Sequence, residues 1–192
     1  MTLYHGTIYS FAIDIVRNGI NLKYSNKFLD FGPGFYTTPF YYHAAITAIR
    51  KTQKIGCEEP YIVKLNYHEN SDLTIRKFDG YNNEWGQFIL NNRISEEIIK
   101  KYNIIDHNRD SKYDICCGNI GDGEMGPVLF DVNTGVCLPQ DVDFNVFVRE
   151  NRNEITQYSF HTLRAILCVE VLSAEMLKDK NKYLKFIKGK GK

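Results

Sequence analysis

Asp30-Phe31-Gly32-Pro33-Gly34-Phe35-Tyr36-Thr37-Thr38 is the stretch on which the reading of this chain turns. Two glycines around a proline force a shaped loop, and the aromatics and threonines that follow have the composition of a strand. Neighbours on a strand face opposite sides, so Phe35 is expected to pack inward and Tyr36 to present its ring on the other face. The segment reads either as a tight turn entering an aromatic strand or as one wall of a ligand pocket. Two distant stretches share its character. Thr2-Leu3-Tyr4-His5-Gly6-Thr7 reads as a short strand running into a turn, and Gln157-Tyr158-Ser159-Phe160 as a strand with Gln157 and Ser159 on one face.

Between these landmarks the periodicity alternates between helix and strand. Residues 11–20 have helical spacing, with Ser10 as N-cap and Gly19 as the stop. Residues 23–34 form a loop, and Pro39 then opens a helix that turns Tyr42, Ala45, Ile46 and Ile49 inward. Residues 61–67, 73–78, 113–118, 142–148 and 169–172 read as strands, and residues 83–102 as a helix burying Trp85, Phe88, Ile89, Ile98 and Ile99. Residues 161–169 can turn helical, whereas the glycine-rich residues 119–140 fit no single pattern. The sum is a mixed α+β domain over residues 1–177, followed by a basic tail over residues 178–192 that is either a solvated end or a local partner contact.

Composition narrows the function classes. A chain of 192 residues with 43% hydrophobic and 24% charged residues is an ordinary globular domain able to bury a substantial core. A net charge of +1 gives no global field for a nucleic acid or a membrane. No stretch approaches the run of about 18 apolar residues that a membrane helix needs, and no charged segment followed by an apolar run opens the chain. Cys57, Cys116, Cys117, Cys137 and Cys168 are irregularly spaced without a Cys-x-x-Cys pair, so free thiols in a reducing cytoplasm are expected. The five histidines are scattered, and no metal site is implied.

Taken together, Leu3-Tyr4-His5-Gly6-Thr7, Asp30-Phe31-Gly32-Pro33-Gly34-Phe35-Tyr36-Thr37-Thr38 and Gln157-Tyr158-Ser159-Phe160-His161-Thr162 resemble a bacterial domain family of unknown function grouped with the ADP-ribosyltransferases. Trp85-x-x-Phe88-Ile89-Leu90-Asn91-x-Arg93 and Tyr113-Asp114-Ile115-x-x-Gly118 extend the resemblance over roughly residues 3 to 170. It implies an ADP-ribosyltransferase-like split, bent β-core with flanking helices that grips NAD, which is consumed as a substrate. His5 would bind the ribose, the Gly6 backbone the nicotinamide amide, and Tyr36 the nicotinamide face, with Thr7, Phe35 and Ser159 lining the site. ADP-ribose would pass to a macromolecular acceptor, protein or nucleic acid, and the resemblance also implies a bacterial toxin controlled by an antitoxin or serving in defence.

The chemistry fits such residues. Breaking the bond between nicotinamide and ribose builds an oxocarbenium-like centre, and nicotinamide is already a cationic leaving group. The protein must hold the dinucleotide, fix the ribose and stabilise developing positive charge. Gln157 stands where many active transferases place a catalytic glutamate; it can hold a ribose hydroxyl but carries no negative charge and takes no proton. A non-catalytic NAD- or nucleotide-binding sensor is therefore the alternative. Related transferases often carry a second tyrosine eleven residues after the first, and Thr47 occupies that position here. Arg93 and Arg149 are candidates for the diphosphate, or else ordinary salt-bridge partners.

Overall fold

The computed structural model describes residues 1–56, 58–121, 125–147 and 155–188. In chain order the strands and α-helices are β1 (Thr2–Ile8), α1 (Tyr9–Asn18), β2 (Phe35–Thr37), α2 (Tyr41–Ile55), β3 (Pro60–Tyr67), β4 (Ile75–Lys77), α3 (Asn83–Arg93), α4 (Glu96–Lys101), β5 (Ile115–Asn119), α5 (Met125–Thr134), β6 (Thr156–Phe160), α6 (Leu163–Ile166), β7 (Val169–Met176) and α7 (Asn181–Lys188). The class is mixed α+β, with a three-stranded sheet of order β1-β3-β7 and a four-stranded sheet of order β2-β6-β5-β4. The chain divides into two compact units, each assembled from separated segments: residues 1–21, 36–71 and 166–192 in the first, residues 22–35 and 72–165 in the second.

In the first unit β1 pairs antiparallel with β3 from Thr2↔Asn66 to Ile8↔Pro60, and β3 pairs antiparallel with β7. α2 supplies Ala44, Ala45, Ile46, Ala48 and Ile49 to a core completed by Ile62, Leu177 and Tyr183. Alanines line this helix because β1 comes very close: a Cβ built on Gly6 would lie 1.9 Å from the Ala44 carbonyl oxygen and 2.9 Å from the Ala48 nitrogen. Only glycine fits there. The expected inward turn of Tyr42 is not seen, since small residues make the contact face and Tyr42 stays 36% exposed. Nor does Ser10 cap α1; its backbone N–H and hydroxyl donate to the Glu58 carboxylate at 2.7 and 2.9 Å, and the helix starts two residues earlier than expected, at Tyr9. Gly19 does end α1, with φ of +80°. Part of the basic tail forms α7, whose Tyr183 and Leu184 pack on the α2 core, while residues 189–192 lie outside the described residues.

In the second unit β4 runs parallel to β5, with α3 and α4 between them in sequence, and β5 runs antiparallel to β6. Phe31, Phe78 and Phe88 form an aromatic cluster with ring centroids 5.0–6.2 Å apart, which fastens the residue 22–35 segment to the core. Gly32 has φ of +86°, and a Cβ there would sit 2.7 Å from the Asn108 carbonyl oxygen. Two expectations are corrected here. The helix over residues 83–102 breaks at Ile94, which is fully buried, and Ser95 caps a second helix by accepting from the Ile98 N–H at 3.4 Å. The strand expected over residues 142–148 is a 3-10 turn over Phe144–Phe147, with residue 148 outside the described residues. Tertiary packing overrides the alternation: Phe144 covers Gly86, and its N–H donates to Asn83 Oδ1 at 2.6 Å. The glycine-rich residues 119–140 resolve into α5 and a 3-10 turn over Pro139–Asp141.

Candidate functional site

Among the expected site residues, the first unit holds His5, Gly6, Thr7 and Tyr36, and the second holds Phe35, Gln157 and Ser159. Period-two alternation puts Leu3, His5 and Thr7 on one face of β1. His5 Nδ1 lies 2.6 Å from the Tyr36 carbonyl oxygen. A carbonyl only accepts, so Nδ1 carries the proton and Nε2 of the neutral ring presents a lone pair. Burial, assisted by the nearby Lys51 ammonium, pushes the His5 pKa down to about 3 despite the raising effect of the Tyr36 carbonyl. The ring is thus a neutral acceptor for hydroxyl donors throughout the physiological range.

Gly6 is placed by the same alternation. Tyr4 exchanges both backbone hydrogen bonds with Thr38, at 2.8 and 3.0 Å, so its peptide groups face the edge of β1 away from β3. Gly6, two residues on, turns its N–H and C=O toward that edge. A donor and an acceptor side by side are what an amide ligand pairs with. Tyr36 is half-buried between buried Phe35 and Thr37 in β2, as the strand alternation requires. Thr7 is 1% exposed, and its Oγ1 accepts from Lys51 Nζ at 3.5 Å. Thr47, where the resemblance leads one to look for a second tyrosine, donates its hydroxyl to the His43 carbonyl at 3.0 Å within α2.

In the second unit Gln157 is 7% exposed and sits opposite Gly118 across the β5–β6 pair. Its Nε2 donates to Asp30 Oδ2 at 2.8 Å, an oxygen that also accepts the Gly121 N–H at 2.8 Å. Asp30 Oδ1 accepts from Arg93 Nη1 at 3.3 Å. Arg93 is therefore a salt-bridge partner of Asp30, while Arg149 lies outside the described residues. Asp30 fixes which end of the carboxamide is which: Nε2 must face the carboxylate, leaving Oε1 as the acceptor directed elsewhere. It also gives a reason for glutamine. A glutamate at position 157 would bring a second carboxylate to within about 3 Å of Asp30, where two like charges cannot both persist.

Ser159 is fully buried and serves His161. His161 Nδ1 donates to the Pro33 carbonyl at 2.6 Å, so Nε2 accepts from the Ser159 hydroxyl at 2.8 Å. Burial lowers the His161 pKa to about 4. A Cβ on Gly34 would fall 2.7 Å from His161 Nδ1, so the glycine admits the ring and the ring ties the loop to β6. The adjacent Asp114, 6% exposed, receives the Thr74 N–H at 2.9 Å, the Thr162 hydroxyl and Arg164 Nη2 at 2.7 Å. These hydrogen bonds hold the Asp114 carboxyl below its ordinary range against the raising effect of burial.

Burial raises both the Cys116 and Cys117 thiols, which suits inert packing rather than nucleophilic chemistry. Among the described residues no cluster of His, Cys, Asp and Glu is arranged to hold a metal ion, and no helix is long and apolar enough to cross a membrane. A cleft of about 380 Å³ in the second unit is lined by Gln87, Asn91, Tyr102, Ile104, Pro139 and Gln140, none of them an expected site residue.

The sequence reading passed over Asp30, Lys51 and His161 as functional or positioning residues. Asp30 and His161 lie inside quoted motifs, but no pattern states which oxygen a carboxamide meets. Lys51 did carry a signal: with Ala44 and Ala48 it completes an i, i+4, i+7 stripe, which puts a lysine on the packed face of a helix.

The fold is mixed α+β; its first unit carries a neutral histidine beside an edge glycine peptide, and its second unit carries a glutamine oriented by Asp30. The chain belongs to the family described as protein of unknown function (DUF3990), whose profile matches residues 1–171. No curated protein and no solved structure matches it.

Proposed function

We propose that this protein is an ADP-ribosyltransferase that cleaves NAD and transfers ADP-ribose to a macromolecular acceptor. The observation that carries the reading is the arrangement on β1: a neutral His5 anchored on the Tyr36 carbonyl, next to a glycine whose peptide faces the strand edge. His5 Nε2 accepts a ribose hydroxyl, the Gly6 N–H and C=O pair with the nicotinamide carboxamide, and Tyr36 stacks on its ring. In the second unit, Gln157 Oε1 is the acceptor this reading assigns to a ribose hydroxyl. The Asp30 carboxylate behind Nε2 polarises that amide, returning to Oε1 part of the negative character a glutamate would have supplied.

The step balances as NAD plus acceptor X–H giving ADP-ribosyl-X, nicotinamide and a proton. The bond between the ribose C1′ and the nicotinamide nitrogen breaks, its electron pair leaves with the nicotinamide, and X supplies the pair for the new bond. Since an amide takes up no proton, the acceptor or solvent disposes of it. Acceptors of low intrinsic pKa suit this site best. As a toxin acting in the cytoplasm, the protein would need an antitoxin to hold it in check.

Release of nicotinamide from NAD by the purified protein, with and without cell lysate, tests the reading. Turnover that His5→Ala, Tyr36→Ala and Gln157→Ala each abolish, together with growth arrest on expression relieved by the same changes, supports a transferase. Saturable NAD binding without release in any lysate points to a sensor, the reading favoured by the carboxamide at position 157. No NAD binding at millimolar ligand sinks both.

A further inference from the structure

The geometry points to Lys51 as the cation of an anion subsite on the His5–Thr7 face of β1, which takes the diphosphate of the dinucleotide. This inference rests on the NAD reading for the identity of its ligand. Lys51 lies on α2, one turn beyond the Ala44 and Ala48 positions that press against Gly6. Its ammonium donates to the buried Thr7 Oγ1 at 3.5 Å and lies near enough to His5 to shift that ring electrostatically. Among the described residues no carboxylate pairs with it.

A half-buried ammonium without a counter-ion is a costly arrangement. Burial alone lowers its pKa to about 8, so the cation persists at neutral pH at the expense of stability. A residue kept in that state matches an anionic ligand that supplies the missing charge on binding. Thr7, with 1% exposure, acts as the stay that holds Nζ in place. The division of labour follows the ligand: His5 Nε2, a lone pair, suits a hydroxyl and repels an anion, whereas the Lys51 ammonium, held at Thr7 two residues along β1, suits phosphate oxygens. In a dinucleotide the nicotinamide ribose and the diphosphate are directly joined.

Calorimetric titration of the full chain with NAD, ADP-ribose, inorganic pyrophosphate and nicotinamide riboside, in wild type, Lys51→Met and Lys51→Arg, tests this. Lys51→Met is expected to weaken NAD, ADP-ribose and pyrophosphate by about ten- to a hundredfold, the loss of one charge-assisted contact. Nicotinamide riboside, which has no phosphate, should bind within about twofold of wild type, and Lys51→Arg should retain most of the affinity. The same methionine variant should melt at a higher temperature, because an unpaired cation has been removed.

Unchanged NAD and pyrophosphate affinity in Lys51→Met overturns the subsite and leaves the transferase reading standing. A drop in melting temperature in that variant overturns it too, since the lysine would then be structural. Pyrophosphate binding that depends on Lys51, in a wild type that binds neither NAD nor ADP-ribose, keeps the anion site and fails the NAD reading instead.

Discussion

His5 and His161 are anchored alike and left in opposite circumstances. Each donates Nδ1–H to a backbone carbonyl at 2.6 Å, Tyr36 for one and Pro33 for the other, and burial keeps each ring neutral. His161 is 5% exposed, its second nitrogen is occupied by Ser159, and Gly34 is pressed against its ring. His5 is half-buried on a strand face it shares with a lysine-bound threonine. The same local chemistry thus sits in two settings: His161 is enclosed between Pro33 and Ser159, whereas His5 is half-buried on β1, where the proposed reading gives it a ligand to hold.

Replacing each histidine should separate the two roles most strongly. His5→Ala is expected to lower nicotinamide release by at least about a hundredfold, with stability changed by less than about 1 kcal/mol. His161→Ala should cost about 3 kcal/mol in chemical denaturation, because it opens a cavity and removes the bonds to Pro33 and Ser159, leaving Ser159 only the Cys116 carbonyl. A large stability loss at His5, or none at His161, would break the contrast.

The pattern of misses in the sequence reading follows the same contrast. Most strands were legible because they depend on nearest-neighbour periodicity, as in residues 61–67, which fall within β3, whereas the helix faces were legible only in part, since Tyr42, Ile98 and Ile99 are not buried. The motifs marked His5, Gly6, Tyr36 and Gln157 by residue type. The Asp30–Gln157 hydrogen bond spans 127 positions and the His161–Pro33 bond 128, and no local spacing encodes such pairings. The residue 142–148 strand failed for a related reason, since Gly86, far away in sequence, decides where Phe144 goes. Gly6 was assigned to ligand approach, and the close passage of α2 supplies a second demand on the same atom.

A smaller effect is expected from pH. The folded-state pKa of His161, about 4, lies below its ordinary 6.5, so the unfolded chain binds more protons between those values. Its contribution is complete above pH 6.5 and is lost as pH falls towards about 4, up to roughly 3 kcal/mol for a buried ring. Denaturation midpoints at pH 7, 5.5 and 4.5 should fall in that order for wild type. They should fall less steeply for His161→Gln, and parallel curves would remove His161 as the cause.

Gln157→Glu sharpens the comparison from the other side. If Asp30 dictates the amide, placing a carboxylate at position 157 should reduce stability by about 1–2 kcal/mol and leave nicotinamide release no higher than wild type. Pairing it with Asp30→Asn should recover the loss, and an unaided gain in turnover from the single change would show that Asp30 does not control the position. The smallest effect is a coupling: Gly34→Ala should destabilise the protein by about 2 kcal/mol, and by about 1 kcal/mol less when His161 is already alanine.

The first sheet is completed by β7, whose residues are polymerised long after β1 and β3, with residues 72–165 of the second unit made in between. On the ribosome the β1–β3 pair must wait, with one margin of β3 unpaired, for roughly a hundred further residues, several seconds at ordinary elongation rates. A nascent chain stalled before Val169 therefore lacks the strand that braces His5 from behind β3. Any chemistry that depends on that brace is deferred until synthesis is nearly complete.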